Sequence, residues 1–310
     1  PFPTSLWSVR DSFQSHKPIT MIKPSSRRFF RIGAWVLGAL FLTALIFFIR
    51  MDFRTSDAAV ERYFDKRGVA VTIHHLPYKG HTVRYLETGD TSAGKLIVFV
   101  HGAPGSSDNF HPYLADSTLL KRACLVSVDR LGYGYSNYGK AETSIAGQAE
   151  MVQFVIDQYG ADTVYLVGHS YGGPVIAKCA VMQPGRIGGI LMLAPVNDPD
   201  SEPVFWFAHF ARWRATRWML SGANRVAGDE KLSHVAELRG MVGDWSQLKA
   251  PVTHLHGYKD WLAPKANIDF SRRHIPDQIL NMVELPKKNH FLPFTDYGMV
   301  QQAILDLMAR

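Results

Sequence analysis

The sequence predicts an α/β fold, a mostly parallel sheet with helices on both faces and a small helical lid, preceded by one apolar helix near the N-terminus. Three observations carry that expectation. From Leu96 onward, short apolar runs alternate with longer helix-like stretches: LIVFV at 96–100, CLVSV at 124–128, VYLVG at 164–168, GILML at 189–193, VTHLH at 252–256 and LNMVEL at 280–285. Runs of this length, apolar at successive positions, suit strands buried on both faces, as crossover helices require. Apolar residues make up 46% of the 310-residue chain, ample for a core. The third observation is IGAWVLGALFLTALIFFI at 32–49, a stretch of 18 residues without a charge.

A helix over 32–49 would cover about 27 Å, close to the thickness of a bilayer's hydrocarbon core. Arg27, Arg28 and Arg31 stand before it and Arg50 and Arg54 after it, where the hydrocarbon should end. The stretch reads as a single membrane-spanning helix. A cleaved secretory signal competes with that reading, but the apolar run is longer than a signal core, and Arg50, Asp52 and Arg54 stand where small cleavage-site residues belong. Basic residues flank both ends, so orientation rests on a slight preference: N-terminus inside, main domain on the non-cytoplasmic side. Residues 1–31 form a tail. Met21 followed by Lys23 makes a natural start, and residues 1–20 read as an extension with no assigned fold.

The formal charge of +7 raises the question of nucleic acid. Residues 1–54 hold eight Lys/Arg against two Asp and so account for all but one unit of that charge. A nearly neutral body does not suit a surface that neutralises phosphates, and no nucleic-acid partner is expected. Cys124 and Cys179 stand alone, one in a predicted strand and one in a predicted helix, and read as buried free thiols. No metal-ligand spacing is present.

The main domain is expected over 55–310. It opens with a helix-compatible stretch at 55–67 and two alternating segments, 69–76 and 81–87, split by Pro77 and Gly80 like a hairpin. From about Asn197 to Ser246 the strand rhythm breaks, too long an interval for a simple connection, and a small helical lid is expected there. Within it, VFWFAHFARWRATRWML puts Trp206, Phe210 and Trp213 at helical spacing with Arg212, Arg214 and Arg217 among them. Packing on the core is the leading reading of that stripe; a wall for an apolar acyl pocket and a membrane contact are the others.

The chemistry centres on VYLVGHSYGGPVIAKCA, where Ser170 sits between Gly168 and Gly172, just after a strand and just before a helix pattern. A tight strand-to-helix turn would present the hydroxyl at the carboxyl edge of the sheet, and small residues on either side let the backbones approach. A serine hydroxyl needs a base. His290, in LPKKNHFLPF, follows the last strand and precedes a terminal helix. Of the other histidines, His101 and His169 lie inside glycine motifs, where they read as loop-holding, and His256 lies in a strand pattern. The base in turn needs a carboxylate to fix its tautomer. Asp260, in THLHGYKDWLAP, lies just past a strand end and is chosen; Asp198 and Asp200 are the alternatives, and a helix cap is the other reading of Asp260. The developing oxyanion requires preorganised donors, assigned to the backbone N–H groups of Ala103, in FVHGAPGSSDNF, and of Tyr171.

Four ordered motifs, HGAPGS at 101–106, DRLGYGYS at 129–136, GHSYGG at 168–173 and the HGYKD and NHF segments around Asp260 and His290, together resemble the alpha/beta-hydrolase family, in the subgroup with an HG-x-PG loop. The resemblance covers roughly residues 69–310. It implies an eight-stranded sheet, a lid inserted between the sixth and seventh strands, and no metal or organic cofactor. Epoxide hydrolases and haloalkane dehalogenases of similar outline use an aspartate nucleophile, whereas this chain has Ser170. Proline aminopeptidases carry HGGPG, where Ala103 replaces the middle glycine here, and no acidic cluster for a substrate amine is evident in the sequence. DRLGYGYS reads as a structural turn around Asp129, with Tyr133 or Tyr135 able to border a pocket. The expected activity is hydrolysis of carboxylic esters or related acyl bonds through a covalent acyl-enzyme on Ser170, with a small-molecule substrate of apolar or lipid-derived character. Acyl transfer, a proline-aminopeptidase-like amide hydrolysis, and a non-catalytic membrane-tethered binding module are the competing readings.

Overall fold

A computed structural model describes residues 26–310, apart from residue 205 and the side chains of residues 26–29, 48 and 207. Of the expected tail at 1–31, residues 1–25 lie outside the described residues and residues 26–31 are helical. The chain forms two units, residues 1–47 and residues 48–310.

Helix α1, Ser26–Arg50, begins in the first unit and extends further in both directions than the apolar core at 32–49. Its window Phe30–Phe47 has a mean hydropathy of 2.0 and none of it is buried. By length and composition it can cross a membrane.

The second unit is built on one eight-stranded sheet of order β1-β2-β4-β3-β5-β6-β7-β8. The strands are β1 (Val71–Tyr78), β2 (His81–Thr88), β3 (Lys95–Val100), β4 (Cys124–Val128), β5 (Thr163–His169), β6 (Ile187–Leu193), β7 (Val252–Gly257) and β8 (Leu280–Leu285). β1 and β2 form the expected hairpin, antiparallel from Val71↔Thr88 to Tyr78↔His81, and β2 pairs antiparallel with β4. From β4 to β8 every pairing is parallel.

Alternation along the strands divides the core in two. Leu96, Val98 and Val100 face one side with α3 (Ile145–Ile156) and α4 (Gly172–Met182), along with Trp245 and Phe270. Ile97 and Phe99 face the other, with Val60 and Phe64 of α2 (Asp57–Asp65) and Val300, Ile304 and Leu307 of the terminal helix, Tyr297–Met308. Successive residues of a strand point to opposite faces, so both faces must be apolar, which is why these strands read as unbroken hydrophobic runs. Cys124 and Cys179 are buried free thiols, each pushed up to about 12 by burial.

Between β6 and β7 the chain makes short helical turns at Trp206–Ala208, His209–Arg212 and Arg214–Arg217, then α5 (Gly222–Gly240) and a 3-10 segment, Val242–Gln247. The helical spacing of Trp206, Phe210 and Trp213 is realised as short turns and not as one continuous helix. Trp213 is extended, at φ −75° and ψ 124°, and the carbonyls left open there accept side-chain donors instead: Thr216 Oγ1 donates to Phe210 O at 2.8 Å and Arg217 Nη1 to Ala211 O at 2.5 Å. Nor do the indoles pack on the core, since Trp206 is 72% and Trp213 55% exposed.

Candidate active site

Ser170 occupies the turn between β5 and α4 with φ of 53°, a left-handed conformation unusual for a residue with a Cβ. Its N–H donates to Leu193 O at 3.0 Å, and its carbonyl accepts from Gly173 N at 2.9 Å. The flanking glycines are sterically required. A Cβ on Gly168 would stand 2.4 Å from Gly172 O, and one on Gly172 would stand 2.3 Å from Val100 O. The turn therefore packs its backbone directly against the end of β3. Across that contact, a Cβ on Gly102 would lie 2.9 Å from Ser170 Cβ, which puts the glycine-rich loop after β3 beside the Ser170 side chain. The N–H groups of Ala103 and Tyr171 bond to no acceptor among the described residues.

His290 follows β8 and lies nearly buried. Its Nδ1–H donates to Asp260 Oδ2 at 2.7 Å, which leaves Nε2 as the ring nitrogen with a free lone pair. Asp260 is equally buried, and its other oxygen accepts from Leu262 N at 2.9 Å and Ala263 N at 2.7 Å, so this carboxylate both caps its own turn and orients the imidazole. Asp198, the alternative, accepts instead from Asp200 N at 3.0 Å. Among the described residues no hydrogen bond joins Ser170 Oγ to His290; such contacts are commonly loose before substrate binds. The two are linked through His169, which precedes Ser170. Its ring lies 4.9 Å from that of His290, and its Nε2–H donates to His290 O at 3.0 Å. Burial, and then the neighbouring His290, push the His169 imidazole down to about 3, so it remains a neutral spacer.

Two further networks brace these residues, and sequence reasoning missed both. The first starts at Arg130, inside DRLGYGYS. Its guanidinium is fully buried, donating Nε to His101 O at 2.9 Å and Nη2 to Gly102 O at 3.0 Å, and pairing through Nη1 with Glu230 Oε1 of α5 at 2.5 Å. Tyr133 Oη also donates to Glu230, at 2.6 Å. Burial alone would lower the Arg130 pKa, but the Glu230 carboxylate more than offsets it and raises the value. His101 acts as the predicted loop-holder: Nδ1–H donates to Gly102 O at 2.7 Å and Nε2 accepts from Arg130 N at 3.0 Å. In the same motif Asp129 accepts from Ser107 N at 2.7 Å and Tyr135 N at 3.0 Å, the structural turn that was expected.

The second network lies behind Asp260. His256 Nε2–H donates to Ala263 O at 2.9 Å, so His256 Nδ1 accepts from His254 Nε2–H at 3.0 Å, and His254 Nδ1 accepts from Ser271 Oγ at 3.1 Å. Burial lowers the pKa of both imidazoles, which fixes them as neutral tautomers and holds the loop that carries Asp260. At the outer edge, Trp261 is 66% and Phe291 44% exposed, each next in sequence to a member of the Asp260–His290 pair.

A family model described as alpha/beta hydrolase fold matches residues 95–230. A solved structure described as a membrane phospholipase A superposes with a TM-score of 0.61 at 17% identity, covering 91% of this chain and 98% of that one. The chain has the alpha/beta-hydrolase fold. Over 147 residues it is 33% identical to the dihydrolipoyllysine-residue acetyltransferase component of an acetoin cleaving system from Cupriavidus necator, 46% of this chain and 38% of that protein. Over 112 residues it is 34% identical to the probable lysophospholipase BODYGUARD 1 of Arabidopsis thaliana, 34% of this chain and 24% of that protein. The matches thus span well under half of these curated relatives. Within the alpha/beta-hydrolase frame, Ser170, Asp260 and His290 all lie at the carboxyl ends of parallel strands, the edge where such sheets bind ligands.

Proposed function

We propose that this chain is a membrane-anchored serine hydrolase that cleaves carboxylic esters or related acyl bonds of apolar or lipid-derived substrates. The observation that carries the reading is the 2.7 Å bond from His290 Nδ1 to Asp260 Oδ2, with Ser170 held in a left-handed turn against the loop at Gly102. His290 Nε2 takes the proton from Ser170 Oγ as the oxygen attacks the substrate carbonyl. Asp260 stabilises the imidazolium without itself taking the proton. The N–H groups of Ala103 and Tyr171 hold the oxyanion of the tetrahedral intermediate. Collapse breaks the bond to the leaving alcohol, which receives the proton from His290, and leaves an acyl-Ser170 ester. Water, deprotonated by His290, repeats the sequence and releases the acid.

The aromatic margin at Trp261 and Phe291 supports an apolar acyl group. The likeness to a lysophospholipase and to a membrane phospholipase supports a lipid-derived one. Helix α1 supplies the anchor, and the inserted segment at 197–246 acts as the lid. A Ser170→Ala variant is expected to lose turnover by about a millionfold and all labelling by a fluorophosphonate, with the fold intact. Wild-type protein that neither labels at Ser170 nor cleaves nitrophenyl esters of any chain length overturns the proposal.

A further inference from the structure

The stretch before α5 combines two properties that are hard to reconcile with a surface facing water alone. Trp206, Trp213 and Trp218 are 72%, 55% and 69% exposed, and Met219 is 40% exposed. Exposed indoles clustered over so short a stretch forgo burial that the fold elsewhere achieves for its large aromatics. Arg212 and Arg214 are exposed among them, and neither pairs with a carboxylate among the described residues. Tryptophan beside arginine is the composition of a membrane–water interface, where the ring sits at headgroup depth and the guanidinium meets phosphate.

The place of this stretch in the chain is fixed by hydrogen bonds within the second unit. Ser221 N donates to Ile49 O at 2.8 Å, Ser221 Oγ to Met51 O at 2.6 Å, and Asn224 Nδ2 to Ile49 O at 3.3 Å. Residues 49–51 begin two positions after the apolar window Phe30–Phe47 ends. If that window is in a bilayer, Ile49 and Met51 lie where the chain leaves the hydrocarbon. Trp218 is three residues from Ser221, a reach of about 10 Å at most, comparable with the depth of the headgroup region.

We propose that residues 206–219 are a membrane-docking surface, in which the exposed indoles and Met219 enter the headgroup layer of the bilayer that holds α1, and Arg212 and Arg214 pair with anionic lipid phosphates. The proposal rests on the reading of α1 as a membrane span. It assigns the aromatic part of the lid to the lipid surface and leaves the active-site margin to Trp261 and Phe291.

The test uses the full chain in nanodiscs of phosphatidylcholine alone or mixed with phosphatidylglycerol. A nitroxide label is placed at Ala215→Cys, which is exposed, with Gln158→Cys at the opposite edge of the sheet as the control. Cys124 and Cys179 stay unlabelled, being buried with thiols pushed up to about 12. In mixed discs the label at 215 is expected to become more accessible to oxygen than to a water-soluble nickel chelate, while the label at 158 stays water-like. Arg212→Ala with Arg214→Ala should cut the docked-to-undocked ratio by roughly tenfold or more. A water-like label at 215 in discs that retain the chain overturns the docking surface and leaves the anchor standing. Chain recovered outside the discs, or stripped by alkaline carbonate, overturns the anchor and the docking proposal with it.

Discussion

Within the insertion between β6 and β7, α5 sends a carboxylate into the dry interior, while the stretch just before it holds three indoles out toward solvent. Glu230 and its partner Arg130 are both fully buried, and together with Tyr133 they satisfy one another and the carbonyls of His101 and Gly102. A charge survives there only because each member neutralises the other. Trp213 and Trp218, which precede α5, give up apolar burial worth roughly 25 cal/mol per Å². One half of the insertion is therefore keyed to the glycine-rich loop after β3, and the other half is left exposed.

Cutting the key should have the largest effect. Glu230→Ala leaves the Arg130 guanidinium buried without a counter-charge, and it is expected to cost about 3–5 kcal/mol in thermal or denaturant unfolding. Arg130→Met combined with Glu230→Leu should recover much of that stability, because an apolar pair of similar volume can replace a buried ion pair. Turnover should not recover with it, since His101 O and Gly102 O would still lack the donor that fixes their loop. A double variant with wild-type kcat would show that the pair serves the fold alone.

Buried imidazoles extend the same side of the comparison, with a smaller, pH-dependent effect. His101, His169, His254 and His256 all have folded-state pKa values lowered from 6.5, chiefly by burial. The unfolded chain takes up protons below 6.5 while the native state does not, so ν_U exceeds ν_N and stability falls as pH falls. Each such histidine contributes a slope of up to about 1.4 kcal/mol per pH unit, beginning near its unfolded pKa and ending at its folded one. For His169 that window runs from 6.5 down to about 3. Melting curves taken from neutral to mildly acidic pH should show the decline, and His254→Asn should lower the slope by about one proton. A flat profile would mean that these rings are protonated in the folded state.

What the sequence made legible follows from how local each signal is. The strands, the hairpin and the turn at Ser170 depend on patterns a few residues long, and they fall where the periodicity and glycine spacing put them. His290 and Asp260 were singled out because each follows a strand in chain order, and the structure places them 2.7 Å apart. Arg130 and Glu230 stand 100 residues apart, and nothing near either announces the other. Their pairing exists only once α5 packs over the loop after β3, although Arg130 lies in a motif already singled out. The break at Trp213 was hidden for a related reason. Helical spacing of Trp206, Phe210 and Trp213 is compatible with one helix, but the donors that end it come from Thr216 and from Arg217, which is itself held by Asp229 at 2.8 Å.

The smallest expected effect falls on the exposed half. Both Trp213 and Trp218 are more than half exposed, and the Trp218 indole N–H donates only locally, to Ala215 O at 2.9 Å. Trp213→Ala with Trp218→Ala should therefore cost about 1 kcal/mol or less in the stability of the full chain in detergent, near the range of surface substitutions. Set beside Glu230→Ala, this separates what an insertion needs in order to fold from what it presents to its surroundings. A loss as large as that of Glu230→Ala would mean that the indoles hold the insertion together, and the contrast between its two halves would dissolve. A small loss would leave their exposure without a folding purpose, which is the condition under which an aromatic surface is free to be shaped by the lipid it meets.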